Sequence, residues 1–145
     1  MGVVEDLLAN PGLYVGTDTV VGTELVGAAR ILVSPLPGRA GVSLDYEILN
    51  GLAPGPVLGH VEHTMIGTAD DGRPVMVIAH THGHGLTILR ESEPGVFEAG
   101  DVPLPYPMKV VVSVSAGRLR HAWWYGSPGE ELVERDVAEV ELVTR

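Results

Sequence analysis

From Gly12 onward the chain reads as short runs in which apolar and polar positions alternate, broken repeatedly by glycine or proline. Residues 40–49 show this most plainly. Val42, Leu44, Tyr46 and Ile48 fall on one face of an extended chain, and Ser43, Asp45 and Glu47 on the other. Comparable runs cover 13–21, 23–33, 57–67, 75–82, 86–91, 96–99, 108–115, 118–125 and 132–143. Turn residues separate them, among them Leu36-Pro37-Gly38-Arg39, Ala69-Asp70-Asp71-Gly72, Glu93-Pro94-Gly95, Ala116-Gly117 and Ser127-Pro128-Gly129-Glu130. Residues 2–9 differ: Val3, Val4, Leu7 and Leu8 share one face of a helix, and Asn10-Pro11-Gly12 ends it, because proline disfavours helix in the residue before it. So short a helix must dock on something to form.

Connections of a few residues join antiparallel neighbours, since parallel strands need crossovers of a dozen or more. The pattern therefore predicts an all-β chain: an antiparallel up-and-down β-barrel of about 8–10 strands, with the short N-terminal helix capping one end. It predicts one domain over 1–145, with the helix at 2–9 and strands within 13–143. A Greek-key sandwich is the competing architecture. It wants longer connections, which only 50–56 and 100–107 offer.

Composition narrows the chemistry. The chain has no cysteine, which excludes disulfides, thiolate metal sites and cysteine nucleophiles. Nine basic against nineteen acidic residues give a net charge of −10, with no basic stripe of the kind a nucleic-acid partner requires. The start, MGVVEDLLANPG, carries two acids where a signal peptide wants positive charge, and no apolar run is long enough for a membrane helix. The expected compartment is the cytoplasm, with no membrane and no nucleic acid as partner. Lys109 is the single lysine, a bias that fits a GC-rich bacterial genome. A barrel left partly open would expose strand edges, with the proline-rich 101–107 segment as a guard, and a homodimer is the expected way of covering them.

Gly12-Leu13-Tyr14, opening the first strand after a short helix, resembles the start of calycin-type barrels, the lipocalin, fatty-acid-binding and nitrobindin-like group. In that group the strand carries Gly-x-Trp, and a late-strand arginine packs on the tryptophan. Here tyrosine stands in its place, and Arg135 is the matching arginine. The resemblance implies an interior cavity for a small apolar ligand. Its nitrobindin branch implies haem held by a histidine near the C-terminus, whereas the last histidine here is His121.

Five of the six histidines lie between 60 and 84. In an extended chain His80 and His82 project on one side, about 7 Å apart. Such a pair can chelate a divalent metal, with His63 or His60 on the neighbouring strand as third ligand. Equally, these imidazoles can line a pocket without metal or move protons as general acid and base. The aspartate of the metallo-β-lactamase His-x-His-x-Asp-His run is absent, and the glutamate that cupins place three or four residues after His-x-His is missing at Gly85, Leu86 and Thr87.

The second cluster is His121-Ala122-Trp123-Trp124-Tyr125. Alternation sends His121, Trp123 and Tyr125 to the face opposite Arg118 and Arg120, where they either fill a core or contact a flat ligand. Trp124, on the other face, is a candidate for a subunit interface. Tyr46, His63, Met65, His80, His82, His121, Trp123 and Tyr125 are thus the expected cavity lining, and Tyr106 is a candidate lid residue. The acids Glu130, Glu131, Glu134, Asp136, Glu139 and Glu141 are expected to form a solvated face. No phosphate loop or Gly-x-Ser-x-Gly elbow occurs. Three functions remain: binding of a small hydrophobic or aromatic molecule, an isomerase or cyclase using pocket histidines, and a metal-dependent activity at His80 and His82.

Overall fold

The computed structural model describes residues 2–50, 57–81, 83 and 85–143. Among them a single α-helix, α1 (Val3–Ala9), precedes ten strands: β1 (Gly12–Val20), β2 (Val26–Pro35), β3 (Gly41–Asn50), β4 (Val57–Thr68), β5 (Pro74–His80), β6 (Thr87–Glu93), β7 (Val96–Ala99), β8 (Met108–Ser115), β9 (Arg118–Tyr125) and β10 (Val133–Leu142). Every strand pairs antiparallel with its sequence neighbours, and β10 pairs with β1, from Tyr14 opposite Leu142 to Val20 opposite Asp136. The sheet therefore closes into an up-and-down barrel. Closure settles the choice against a sandwich. It also leaves no free sheet edge among the described residues for a second copy to cover, so the edge argument for a homodimer does not apply. Among the described residues no helix is long and apolar enough to cross a membrane.

The turns follow from local chemistry. β8 and β9 are joined by Ala116 and Gly117, both at positive φ (51° and 76°), as a two-residue hairpin of matching twist requires. A short 3-10 turn at Pro37–Arg39 links β2 to β3, with Gly38 at φ 67°.

The interior has two storeys. At the end where β1 begins, apolar side chains fill the barrel: Tyr14, Ile31, Leu44, Ile66, Met76, Ile78, Leu89, Phe97 and Leu119 are all buried. Helix α1 closes this end, sinking Val3 and Leu7 into the same cluster. Full burial of each such side chain stabilises by about 1.5–3 kcal/mol. The Tyr14 hydroxyl donates to the carbonyl of Asn10 at 2.7 Å, and Asn10 Nδ2 donates to the carbonyl of Asp6 at 2.8 Å, which fastens the helix to the first strand.

Arg135 does not pack on Tyr14, as the calycin resemblance implies. Tyr14 lies at the helix end of the β1–β10 ladder, whereas Arg135 lies beside Val21 at the opposite end. Its guanidinium sits 5.9 Å from the centre of the Tyr125 ring. The closed antiparallel barrel agrees with the calycin architecture at that coarse level.

Candidate functional site

The upper storey is hollow. A cavity of about 430 Å³ opens at the end away from α1, within the size range of small-molecule sites. Its walls come from β1 (Asp18, Val20), the start of β2 (Val26, Gly27), β3 (Tyr46, Ile48), β4 (Gly59, His60), β5 (His80), β9 (Trp123, Tyr125) and β10 (Asp136), with Leu25 and Tyr106 from the loops. Gly59 is the extra residue of a bulge: Ile48 faces His60 while Leu49 faces Leu58. The bulge bends β4 outward there and widens the barrel.

Tyr46, His80, Trp123 and Tyr125, anticipated as lining residues, all reach this cavity. His121 points inward but lies beneath the cavity, 2% exposed and stacked on Tyr46 with ring centres 5.2 Å apart. His82 lies outside the described residues.

His63 and Met65 correct the expectation for β4. Both point out of the barrel: Met65 is 50% exposed, and His63 forms a 2.7 Å contact with Asp45 on the outer surface. The inward set is His60, Glu62, Thr64 and Ile66. Register enforces this, because Glu62 stands opposite both inward Tyr46 and His80. Reading apolar residues as inward fails on this strand because the barrel interior is polar at that height. His63 is thus on the wrong face to join His80 as a metal ligand, and among the described residues no three histidine or carboxylate side chains converge into a metal site.

Asp136 corrects the expectation of a solvated acidic face. A bulge between Glu134 and Asp136 separates two acids that strict alternation would place together. Glu134 stays outside, bonded to Arg120 at 2.7 Å, while Asp136 shares the inward face of Ala138 and Val140. Trp124, the suggested interface residue, is covered on the outside by Lys109, whose ammonium lies 4.6 Å from the ring centre.

Two polar networks form the floor and one wall. The first centres on Glu62, which is fully buried. Its Oε1 accepts from Trp123 Nε1 at 2.6 Å and from His60 Nε2 at 2.8 Å. His60 also contacts the Thr81 hydroxyl through Nδ1. A carboxylate only accepts, so Nε2 carries the His60 hydrogen. Burial pushes the Glu62 carboxyl upward, but the hydrogen bonds from His60 and Trp123 outweigh it and hold the group below its usual value. Glu62 is therefore ionised at neutral pH. Burial pushes His121 down, so its ring is neutral.

The second network runs from Tyr46 to Asp18 to Asp136. The Tyr46 hydroxyl donates to Asp18 Oδ1 at 2.7 Å, and burial together with the Asp18 charge keeps the phenol protonated. Asp136 lies beside Asp18 on the neighbouring strand, and burial together with Asp18 pushes its carboxyl up to about 8, so Asp136 is mostly protonated at neutral pH.

Sequence reasoning did not select His60, Glu62, Asp18 or Asp136 for the lining. Two signals were present: Asp18 falls in step with Tyr14, and Glu62 with Thr64 and Ile66. His121, the last histidine of the chain, is shut beneath the floor, and no lysine or arginine lines the cavity among its described residues. No protein-family model matches the chain and no curated protein matches it, which leaves its function to be read from the cavity itself.

Proposed function

We propose that the barrel binds one small, flat, largely apolar molecule in its upper storey. The observation that carries this reading is the cavity of about 430 Å³, walled by Tyr46, Trp123, Tyr125 and Ile48 with a few convergent polar groups. Apolar walls supply affinity by releasing water, and a few fixed polar atoms orient the guest. The test uses the Trp124→Phe variant, which leaves Trp123 as sole indole reporter. Titration with the neutral probe N-phenyl-1-naphthylamine should quench Trp123 saturably at one probe per chain. Adding Ile48→Phe, which fills cavity space without a second indole, should abolish that signal. Absence of saturable binding, or equal binding to the filled variant, refutes the reading.

A second reading, proton-transfer catalysis, is favoured by one observation. Neighbouring groups are held in opposite protonation states: Glu62 ionised, Asp136 protonated. Such separation is how one pocket supplies both an acid and a base. Deuterium uptake at the α-carbon of 2-tetralone, followed by NMR, tests it. Catalysis predicts uptake faster than in buffer and slowed in Asp136→Asn; uptake at the buffer rate dismisses this reading.

A further inference from the structure

The charges around the cavity are one-sided. Asp18 and Asp136 stand on adjacent strands in the same wall, Asp18 accepting from the Tyr46 hydroxyl and Asp136 mostly protonated at neutral pH. Glu62 below is ionised, and its Oε2 is buried with no hydrogen-bond partner. Asp136 Oδ1 is likewise buried without a partner. Among the described residues lining the cavity there is no lysine or arginine. The other ionisable rings there are the two histidines and the tyrosines, and His60 is already bonded to Glu62. Arg135 stays exposed, on the Tyr125 ring.

A carboxylate or phosphate guest would meet repulsion here and find no cationic side chain to pair with. A cationic guest meets the reverse: the carboxyl groups of Asp18 and Asp136 in the wall, the Glu62 carboxylate beneath, and π faces on Tyr46, Trp123 and Tyr125 that attract positive charge. We propose that the ligand class is a flat apolar molecule carrying a protonated amine, the amine directed at Asp18 and Asp136 and the flat body lying among the aromatic rings. This rests on the reading of the cavity as a ligand site and specifies the charge of its guest.

Three probes of one shape separate the ideas: 2-naphthylmethylamine, 2-naphthalenemethanol and 2-naphthoic acid, each titrated calorimetrically at pH 7. The amine should bind at least tenfold tighter than the alcohol, with the acid weakest. Asp18→Asn should weaken the amine at least fivefold and leave the alcohol within twofold. Where a variant does not fold, raising salt from 0.05 to 0.5 M on the wild-type chain serves instead; it should weaken the amine and spare the alcohol. Amine and alcohol binding within twofold of each other, or the acid binding tightest, overturns the charge assignment while the cavity reading stands. Binding of none of the three overturns both.

Discussion

Asp136→Asn should make the protein more stable than wild type by an amount that grows as pH rises from about 4 to about 8. The native Asp136 carboxyl is raised from 3.8 to about 8 by burial and by Asp18. Between those values the native state holds a proton that the unfolded chain has released. Stability from this group is therefore complete below about pH 4 and is lost as pH rises towards 8. Every tenfold gain in proton affinity corresponds to about 1.4 kcal/mol, so the full rise of the carboxyl would approach about 6 kcal/mol. Asp136 is only partly buried, and solvent screening reduces the loss to about 2–3 kcal/mol. Asparagine keeps the shape but has no carboxyl proton to lose. His121 acts in the opposite direction: burial lowers it, so it weakens the fold as pH falls below about 6.5, where the unfolded ring charges. The lowered Glu62 adds a further loss on the acid side. The wild-type chain should hold its stability near pH 6 and lose it towards pH 9. The asparagine variant should lose stability only in acid. Urea unfolding at intervals from pH 5 to 9.5 measures both curves. A variant no more stable than wild type at pH 9 would refute the raised Asp136 carboxyl.

Other expectations test other parts of the structure. Trp123→Phe removes one of two donors to Glu62 Oε1 and should cost about 1.5–3 kcal/mol in urea unfolding, the usual contribution of a hydrogen bond to a charged group. Leu7→Ala empties the helix plug and should cost about 2–5 kcal/mol, read as a lowered Tm; a loss under 1 kcal/mol would mean the helix is not seated. Ala116→Asn places a residue that tolerates positive φ in the β8–β9 turn and should gain about 0.5–1 kcal/mol. His63→Ala, on the outer surface, should change stability by less than about 0.5 kcal/mol and leave probe affinity unaltered.

The barrel was legible because its punctuation is local. Glycine and proline mark the turns, and residues 40–49 alternate without a break, so strand number, antiparallel order and the N-terminal plug all follow from near neighbours. The cavity was less legible because its inner surface breaks the rule used to find inner surfaces. On β4 the apolar residues Val61 and Met65 share the outer face, and Glu62 faces inward. Only pairing with β3 and β5 fixes that register. On β10 a single extra residue reverses the phase of Asp136 relative to Glu134. Aromatic residues were easier to place: Trp123 and Tyr46 keep the phase of apolar neighbours that truly face in.

Stacking a solid lower storey under a hollow upper one separates two demands that most small proteins must meet with the same residues. Tyr14, Phe97 and their neighbours hold the ladder shut whatever occupies the space above them. Substitutions at Val20, Leu25, Val26 or Tyr106, around the rim, can reshape what enters at little thermodynamic expense. The cavity wall can therefore change across generations, or be re-engineered in the laboratory from the rim downward, without loosening the packed core beneath it.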